Sequence, residues 1–238
     1  MDTCGNDWSH NRLKERSKLH SIKRTLIPAS TEIDYYFRAP KDDFPLIIFL
    51  HGFGETFGHL LRHFEKKIPP HTGILAVNGV FPLPQKKFDS PEWKLRFCWY
   101  FYDAVKTEYF INQRYPAEVL SGLIQQLNLE KMKKVIVGYS QGGYLAPFLG
   151  EQLENVQSCI SINGEYKHQL LPQILPFPII NICGEQDEVV DPTNCHKSHE
   201  IMTKRGNSGD FYLVKETGHQ INNNIIKLVI NEINSVIN

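Results

Sequence analysis

The sequence predicts an α/β fold with one mostly parallel sheet of about seven to eight strands and helices on both faces. Apolar, β-branched segments alternate along the chain with segments of helical periodicity. Three of the apolar segments, PLIIFL, VIVGYS and PIINICG, carry almost no polar residues, which is typical of strands buried on both faces of a parallel sheet. No low-complexity linker or internal repeat divides the chain. A single domain is therefore expected over residues 26–238.

The strands are expected at the apolar, β-branched segments, and the helices where apolar residues recur at helical spacing. In chain order, the expected strands are residues 32–39, 45–52, 73–80, 133–140, 156–163, 177–184 and 210–217. The expected helices are residues 57–67, 103–127, 142–153, 193–205 and 220–236.

Two places depart from this pattern because of proline. The segment from Val80 to Trp99 contains Pro82, Pro84 and Pro91, and is expected to be a long loop, a kind of segment that is often functional in compact domains. Pro147 lies inside the third expected helix, where it should kink or perturb the helix.

Composition and charge exclude several classes of protein. Apolar residues make up 41% of the chain and aromatic residues 11%, which is typical of an ordinary globular protein. Lys plus Arg and Asp plus Glu both number 26, so no net field favours nucleic acid. The five cysteines form no close-spaced pair, which favours reduced thiols and a cytoplasmic location. No stretch of about eighteen apolar residues occurs, so no transmembrane segment is expected.

Residues 1–25 are interpreted as an N-terminal extension. They contain no apolar core of a secretory signal. The basic run from Arg12 to Arg24 is either a segment that binds a membrane surface or a partner, or a solvated extension.

The segment KKVIVGYSQGG, residues 133–143, predicts a nucleophile. A buried strand runs into a G-x-S-x-G sequence centred on Ser140, and a helical pattern follows. This is the setting of a nucleophile elbow, in which a sharp turn exposes the serine hydroxyl at the carboxyl end of the strand. The helix N-terminus behind the serine favours developing negative charge.

A serine needs a base, and the base needs an acidic residue that orients it. His219 follows the last expected strand and is the candidate base, since no other histidine follows a late strand. Asp187 follows the strand that ends at Gly184 and is the preferred acid, with Asp191 and Glu185 as alternatives in the same loop. The order Ser, Asp, His along the chain is one of those that serine hydrolases use.

Two backbone N–H groups are expected to bind an oxyanion. One is that of Gln141, directly after the nucleophile. The other is that of Phe53, which lies between Gly52 and Gly54 in the loop after an early strand. His51 either shapes this loop by hydrogen bonding or is an ordinary structural histidine.

Together these segments resemble the phospholipase/carboxylesterase branch of the α/β-hydrolases, which includes the acyl-protein thioesterases. HGFGET is similar to the family's HG-x-G-[DE]-T loop, and GYSQGG to its elbow. CGEQDEVVDP and ETGHQI are similar to the segments that carry its acid and its histidine. FCWYFYD is similar to the loop that lines its acyl pocket. The departures are Glu185 where aspartate is common, Asp191 before the proline, Pro147, and a histidine-rich helix after HGFGET.

The resemblance implies an α/β-hydrolase that cleaves esters or thioesters with a Ser140, Asp187, His219 triad, without metal or organic cofactor. It also implies a substrate pocket that includes His51, Gly52, Trp99 and Tyr100. The segment after Asn163 is long enough only for a short flap, so no large cap domain is expected. An open site would favour a small-molecule or flexible acylated substrate. An exposed apolar acyl groove would also provide a face for a homodimer.

Other constellations are interpreted as structural. His196 and His199 have the i, i+3 spacing of a zinc pair but too few partners. His59 and His63 lack a metalloprotease pattern and are expected on the surface. The alternative functions are a serine peptidase, lactonase or acyltransferase on the same fold, or a non-catalytic acyl-binding protein.

Overall fold

The computed structural model describes residues 31–86, 91–103 and 105–237. Contacts within the chain group Ile33–Asn238 into one compact unit, and the fold described below is that of this unit. The N-terminal extension expected over residues 1–25, with its basic run, lies outside the described residues. The domain boundary at residue 26 stays a prediction.

A seven-stranded sheet forms the centre of the fold. Its strands are β1 (Tyr35–Arg38), β2 (Leu46–Leu50), β3 (Gly73–Val77), β8 (Lys134–Tyr139), β9 (Val156–Ile162), β10 (Ile179–Gly184) and β11 (Phe211–Val214). They lie in the order β1-β3-β2-β8-β9-β10-β11, and all neighbouring strands are parallel except β1, which pairs antiparallel with β3 at one edge. The predicted fold class is therefore confirmed.

Helices cover both faces of this sheet. They are α1 (Gly58–Phe64), α2 (Arg114–Gln126), α3 (Gln141–Glu151), α4 (Pro192–Lys204) and α5 (Asn223–Ile237). Within β2, Ile48 and Leu50 belong to a core with α2 and α3. Ile47 and Phe49 belong to a second core with α1 and α5. Successive side chains of a strand point to opposite faces, so a strand covered on both sides must be apolar throughout.

The proline-rich segment before Trp99 was expected to be a long loop. It contains a hairpin instead. Strands β4 (Phe81–Lys86) and β5 (Trp93–Cys98) pair antiparallel outside the main sheet. Pro82 and Pro84 lie in β4. A two-stranded hairpin consists of edge strands only, where a proline can leave its missing N–H on the unpaired side.

The helix expected over 103–127 is also shorter than predicted. Strands β6 (Phe101–Asp103) and β7 (Glu108–Ile111) form a second hairpin, and α2 begins only at Arg114. The Asp103 carboxylate accepts hydrogen bonds from the backbone N–H groups of Val105 and Lys106 and so stabilises the hairpin turn. This turn was not predicted from the sequence.

Pro147 lies in the middle of α3, and the helix continues through it to Glu151. Pro147 therefore does not break the helix. Pro147 is buried, together with Leu145, Ala146 and Phe148. Packing on both sides of the proline holds the helix where one backbone hydrogen bond is missing.

The segment between β9 and β10 contains no helix or strand among its described residues and forms no large cap. Leu175 and Phe177 pack against the core below it. Within the described part of the chain, no helix is both long and apolar enough to cross a membrane.

Candidate active site

Ser140 lies in the sharp turn between β8 and α3. Its backbone has φ 50° and ψ −117°, a combination that L-residues rarely adopt and that is typical of strained functional sites. The turn is held on both sides, because the Ser140 N–H donates to the Ile162 carbonyl oxygen at 2.8 Å and its carbonyl accepts from the Tyr144 N–H at 3.1 Å.

Glycine is required on both sides of this turn. A Cβ on Gly138 would collide with the carbonyl oxygen of Gly142, and a Cβ on Gly142 would collide with that of Leu50. The strand, the helix and the neighbouring strand approach one another backbone to backbone at this turn, which leaves no room for a side chain on Gly138 or Gly142.

Ser140, His219 and Asp187 form one hydrogen-bonded chain. The His219 Nε2 lies 2.9 Å from the Ser140 Oγ, and the His219 Nδ1 lies 2.7 Å from the Asp187 Oδ2. The carboxylate is buried, and its other oxygen accepts from the backbone N–H groups of Val189 and Val190, both at 2.9 Å. Both carboxylate oxygens are thus satisfied, which fixes the carboxylate relative to the imidazole.

The geometry distinguishes Asp187 from the other acidic candidates. The Asp191 side chain caps the start of α4 by accepting from the Thr193 N–H at 2.8 Å. The Glu185 carboxylate accepts from the Glu216 N–H at 3.3 Å. Each of these carboxylates has a local structural partner, and only Asp187 reaches His219.

The segment that carries His219 is attached to the elbow strand by a second contact. The Tyr139 hydroxyl donates to the His219 carbonyl oxygen at 3.0 Å, and the two rings lie 5.3 Å apart between centroids. Asn163, the residue directly after β9, donates to the Gln220 carbonyl and accepts from the Gly184 N–H.

The expected oxyanion donors lie at the same end of the sheet. Gln141 is the first residue of α3, where an N–H has no acceptor within the helix. Phe53 follows β2, and its side chain is 58% exposed. Among the hydrogen bonds between described residues, none uses the backbone N–H of Phe53 or Gln141, so both are available to a ligand.

The loop around Phe53 is held by its neighbours. The Glu55 carboxylate accepts from the Gly52 N–H at 2.9 Å. The His51 Nε2 accepts from the Gly79 N–H at 2.9 Å, which places the ring hydrogen on Nδ1, 2.7 Å from the Gly52 carbonyl oxygen. Burial lowers the pKa of His51 to about 4, so the ring is neutral at neutral pH.

The Gln141 side chain connects the elbow to the segment at Trp99. Its Oε1 accepts from the Trp99 N–H at 2.9 Å, and its Nε2 donates to the Tyr100 carbonyl at 2.8 Å. The Trp99 indole in turn donates to the His51 carbonyl at 2.8 Å. The turn at Ser140, the loop around Phe53 and the Trp99 segment are therefore joined by buried hydrogen bonds.

A cavity of about 210 Å³ opens beside Ser140. Its walls are Gln141, Lys167 and four tyrosines, Tyr100, Tyr102, Tyr109 and Tyr144. Of the expected pocket residues only Tyr100 lines it. His51, Gly52 and Trp99 are buried and do not line this cavity.

Four residues of the cavity wall were not predicted from the sequence: Tyr102, Tyr109, Tyr144 and Lys167. Tyr109 lies in a strand that was expected to be helical, and Tyr102 lies in the FCWYFYD segment beside the expected pocket residue Tyr100. Tyr144 is four residues after Ser140, one helical turn onward, and this spacing was a usable signal. Lys167 comes from the irregular segment after β9, and no local pattern marks it.

His59 is less exposed than the sequence suggested. Its ring stacks on that of Tyr139 at 5.5 Å between centroids, and its Nδ1 lies 3.3 Å from the Glu55 Oε1. Burial, with the charges of nearby His63 and Arg62, lowers the pKa of His59 to about 4. The contact with Glu55 is therefore not an ion pair at neutral pH.

The described residues contain no group of three or more His, Cys, Asp or Glu side chains that could hold a metal ion. His196 and His199 instead pack their rings against Phe211. Cys98, Cys159, Cys183 and Cys195 are free and buried.

A mostly parallel sheet with a strained serine at the end of a central strand defines the α/β-hydrolase fold. Residues 38–237 match the model of the phospholipase/carboxylesterase family. The chain belongs to this family.

Solved structures agree on the fold. Esterase PE8 is 18% identical, with a TM-score of 0.67, and the match covers 87% of this chain and all of that one. The Zea mays acyl-protein thioesterase 2 is 14% identical with a TM-score of 0.65 over 86% of this chain and 99% of that one. A Bacillus cereus carboxylesterase is 15% identical with a TM-score of 0.64 over 85% and 94%. No curated sequence matches the chain.

Proposed function

We propose that the protein is a serine hydrolase that cleaves carboxylic esters or thioesters through an acyl-enzyme. The observation that carries the proposal is the hydrogen-bonded chain from Ser140 through His219 to Asp187, with contacts of 2.9 and 2.7 Å. Membership in a family of hydrolases supports it. A hydroxyl, an imidazole and a buried carboxylate in this arrangement are the parts of a nucleophilic triad.

In the proposed first step, His219 Nε2 takes the Ser140 proton as the Oγ attacks the acyl carbonyl carbon. The oxyanion that forms would accept hydrogen bonds from the N–H groups of Phe53 and Gln141. The imidazolium then gives its proton to the leaving alcohol or thiol, and the acyl group remains on Ser140. Asp187 stays ionised throughout and stabilises the imidazolium.

In the second step, water attacks the acyl-enzyme by the same route. His219 takes a proton from the water and returns one to the Ser140 Oγ as the acid leaves. The site needs no further cofactor for either step. The free, buried cysteines support a cytoplasmic setting for this enzyme, which is part of the proposal.

The test is labelling with a fluorophosphonate probe, wild type against Ser140→Ala, followed by hydrolysis of p-nitrophenyl esters from acetate to palmitate. We expect labelling of the wild type only. Oxygen esters and thioesters of one acyl group, compared by kcat/KM, then separate esterase from thioesterase. Failure of a folded wild type to label would sink the proposal and favour the non-catalytic acyl-binding alternative.

A further inference from the structure

The cavity beside Ser140 has an aromatic wall that carries polar groups. No aliphatic and no acidic side chain is among the described residues that line it. Burial raises the pKa of Tyr100 and of Tyr144, so both phenols stay protonated and can donate hydrogen bonds at neutral pH. An aromatic wall with such donors can bind an acyl group that has acceptor atoms as well as methylene groups.

One ammonium group reaches this cavity. The Lys167 Nζ lies 5.2 Å from the ring centroid of Tyr144 and 2.8 Å from the Glu165 Oε2. An ammonium group has three donors, and Glu165 occupies one of them. Glu165 itself is not a lining residue. The cavity wall therefore contains an ammonium group and no carboxylate, and Glu165 pairs with that ammonium group from outside the wall.

The backbone next to Lys167 is firmly held. The neighbouring Tyr166 is fully buried, and its hydroxyl donates to the Ile180 carbonyl oxygen at 2.8 Å. On the other side, Arg205 donates to the His168 carbonyl at 2.7 Å. A side chain on such an anchored segment loses less entropy on binding than one on a free loop.

The volume limits what can bind. A water molecule takes about 30 Å³ in the liquid, so a cavity of about 210 Å³ holds about seven non-hydrogen atoms. This is below the usual range for drug-sized ligands. It is the size of a succinyl or glutaryl group, and a palmitoyl chain would extend beyond it into solvent.

From the size, the tyrosine wall and the single ammonium group, we infer that the enzyme acts on short acyl groups that end in a carboxylate. Lys167 binds this carboxylate, and the acyl carbonyl lies at Ser140. The inference rests on the proposed function, because it names the substrate class of the same site. Lys167 is then a specificity-determining residue.

The experiment compares kcat/KM for monoethyl glutarate, its neutral amide analogue ethyl glutaramate, and ethyl valerate, measured by acid release. Wild type should prefer the carboxylate over the amide by about tenfold, as expected for one charge-assisted hydrogen bond. Lys167→Met should bring this ratio close to one, and Lys167→Arg should keep most of it. Glu165→Gln should raise the ratio, because it removes the competing carboxylate.

Lys106 provides a matched control. Its Nζ lies 5.7 Å from the Phe110 ring centroid and 3.7 Å from the Asp103 carboxylate, so it has the same kinds of partner as Lys167. It does not line the cavity. Lys106→Met should keep the wild-type ratio. Added salt should weaken the preference of the wild type and leave Lys167→Met unchanged.

The outcomes separate the two proposals. The inference is wrong, and the proposed function stands, if the wild type has equal kcat/KM for the neutral esters and the glutarate ester. The same holds if Lys167→Met keeps the preference for the carboxylate. If fluorophosphonate labels Ser140 but none of the three esters is hydrolysed, the inference is again wrong. If labelling also fails, both proposals fall.

Discussion

The Tyr139 hydroxyl donates a hydrogen bond to the backbone carbonyl oxygen of His219, with 3.0 Å between the two oxygens. Tyr139 directly precedes Ser140, so the strand that presents the nucleophile also holds the segment that presents the base. The two rings pack at 5.3 Å between centroids. The relative position of Ser140 and His219 therefore depends on more than their own hydrogen bond.

Replacing Tyr139 with phenylalanine should test this support. The change removes the hydroxyl, keeps the ring, and leaves the His219 carbonyl without its donor. We expect a loss of about 1 kcal/mol in the free energy of unfolding, and kcat lower by about fivefold with little change in KM. Urea unfolding and ester hydrolysis measure the two effects.

Tyr212→Phe is the matched control for this variant. The Tyr212 hydroxyl in β11 bonds to the Glu232 carboxylate in α5 at 2.7 Å, and neither residue belongs to the triad. Its kcat should equal that of the wild type. Equal kcat values for all three proteins would show that the Tyr139 hydroxyl does not position His219.

Asp187→Asn should lower kcat on the order of 10⁴-fold while the fold is retained. An amide group in place of the carboxylate oxygen at 2.7 Å from His219 Nδ1 favours the wrong imidazole tautomer and cannot stabilise the imidazolium. Burst and steady-state hydrolysis of p-nitrophenyl acetate provide the measurement.

Two further acidic residues serve as controls for Asp187. Asp191→Asn keeps a residue that caps helices well, and Glu185→Gln keeps an acceptor for the Glu216 N–H. Both should stay within about twofold of wild-type kcat. A loss at either position as large as that at Asp187 would contradict the proposed acid.

Gln141→Leu should destabilise the protein by about 2–4 kcal/mol. It removes the acceptor of the Trp99 N–H and the donor to the Tyr100 carbonyl, and both of these backbone groups are buried. Thermal unfolding measures the loss. Gln157→Leu is the control, because the Gln157 side chain makes one exposed bond to Asn155, and a similar loss there would refute the explanation.

The free energy of unfolding should decrease as the pH is lowered, because His51 is buried as a neutral ring. Its pKa is about 4 in the folded protein and 6.5 as a reference for the unfolded chain, so the unfolded state binds more protons between these values. The stabilisation is complete above pH 6.5 and is lost as the pH falls towards 4. The loss should be about 3 kcal/mol for this fully buried ring.

The variant His51→Asn should flatten this part of the stability profile, even if its overall stability is lower. Asparagine does not titrate and can still donate to the Gly52 carbonyl. The slope of unfolding free energy against pH is the quantity to compare. The pKa of His59 is also lowered to about 4, so His59→Asn should remove a smaller part of the same slope, because its side chain is partly exposed. An unchanged slope in His51→Asn would contradict the assignment to His51.

The sequence by itself determined the order of the sheet strands along the chain and the places where chemistry was to be expected. Ser140, Asp187 and His219 each follow a strand, and parallel strands deliver their carboxyl ends to one edge of the sheet. Periodicity and glycine spacing are local signals, so they could be interpreted without knowing what packs against what.

Only the tertiary structure decided which residues around these positions meet. The hairpins β4–β5 and β6–β7 depend on strand pairings that were not predicted. The prolines had indicated a loop at the first hairpin, and a helix-like pattern had indicated a helix at the second. Trp99 is buried in the core, and Lys167 lines the cavity although its segment shows no periodicity. Such contacts join residues far apart in the chain, and their energies depend on packing and burial that no short window of sequence contains.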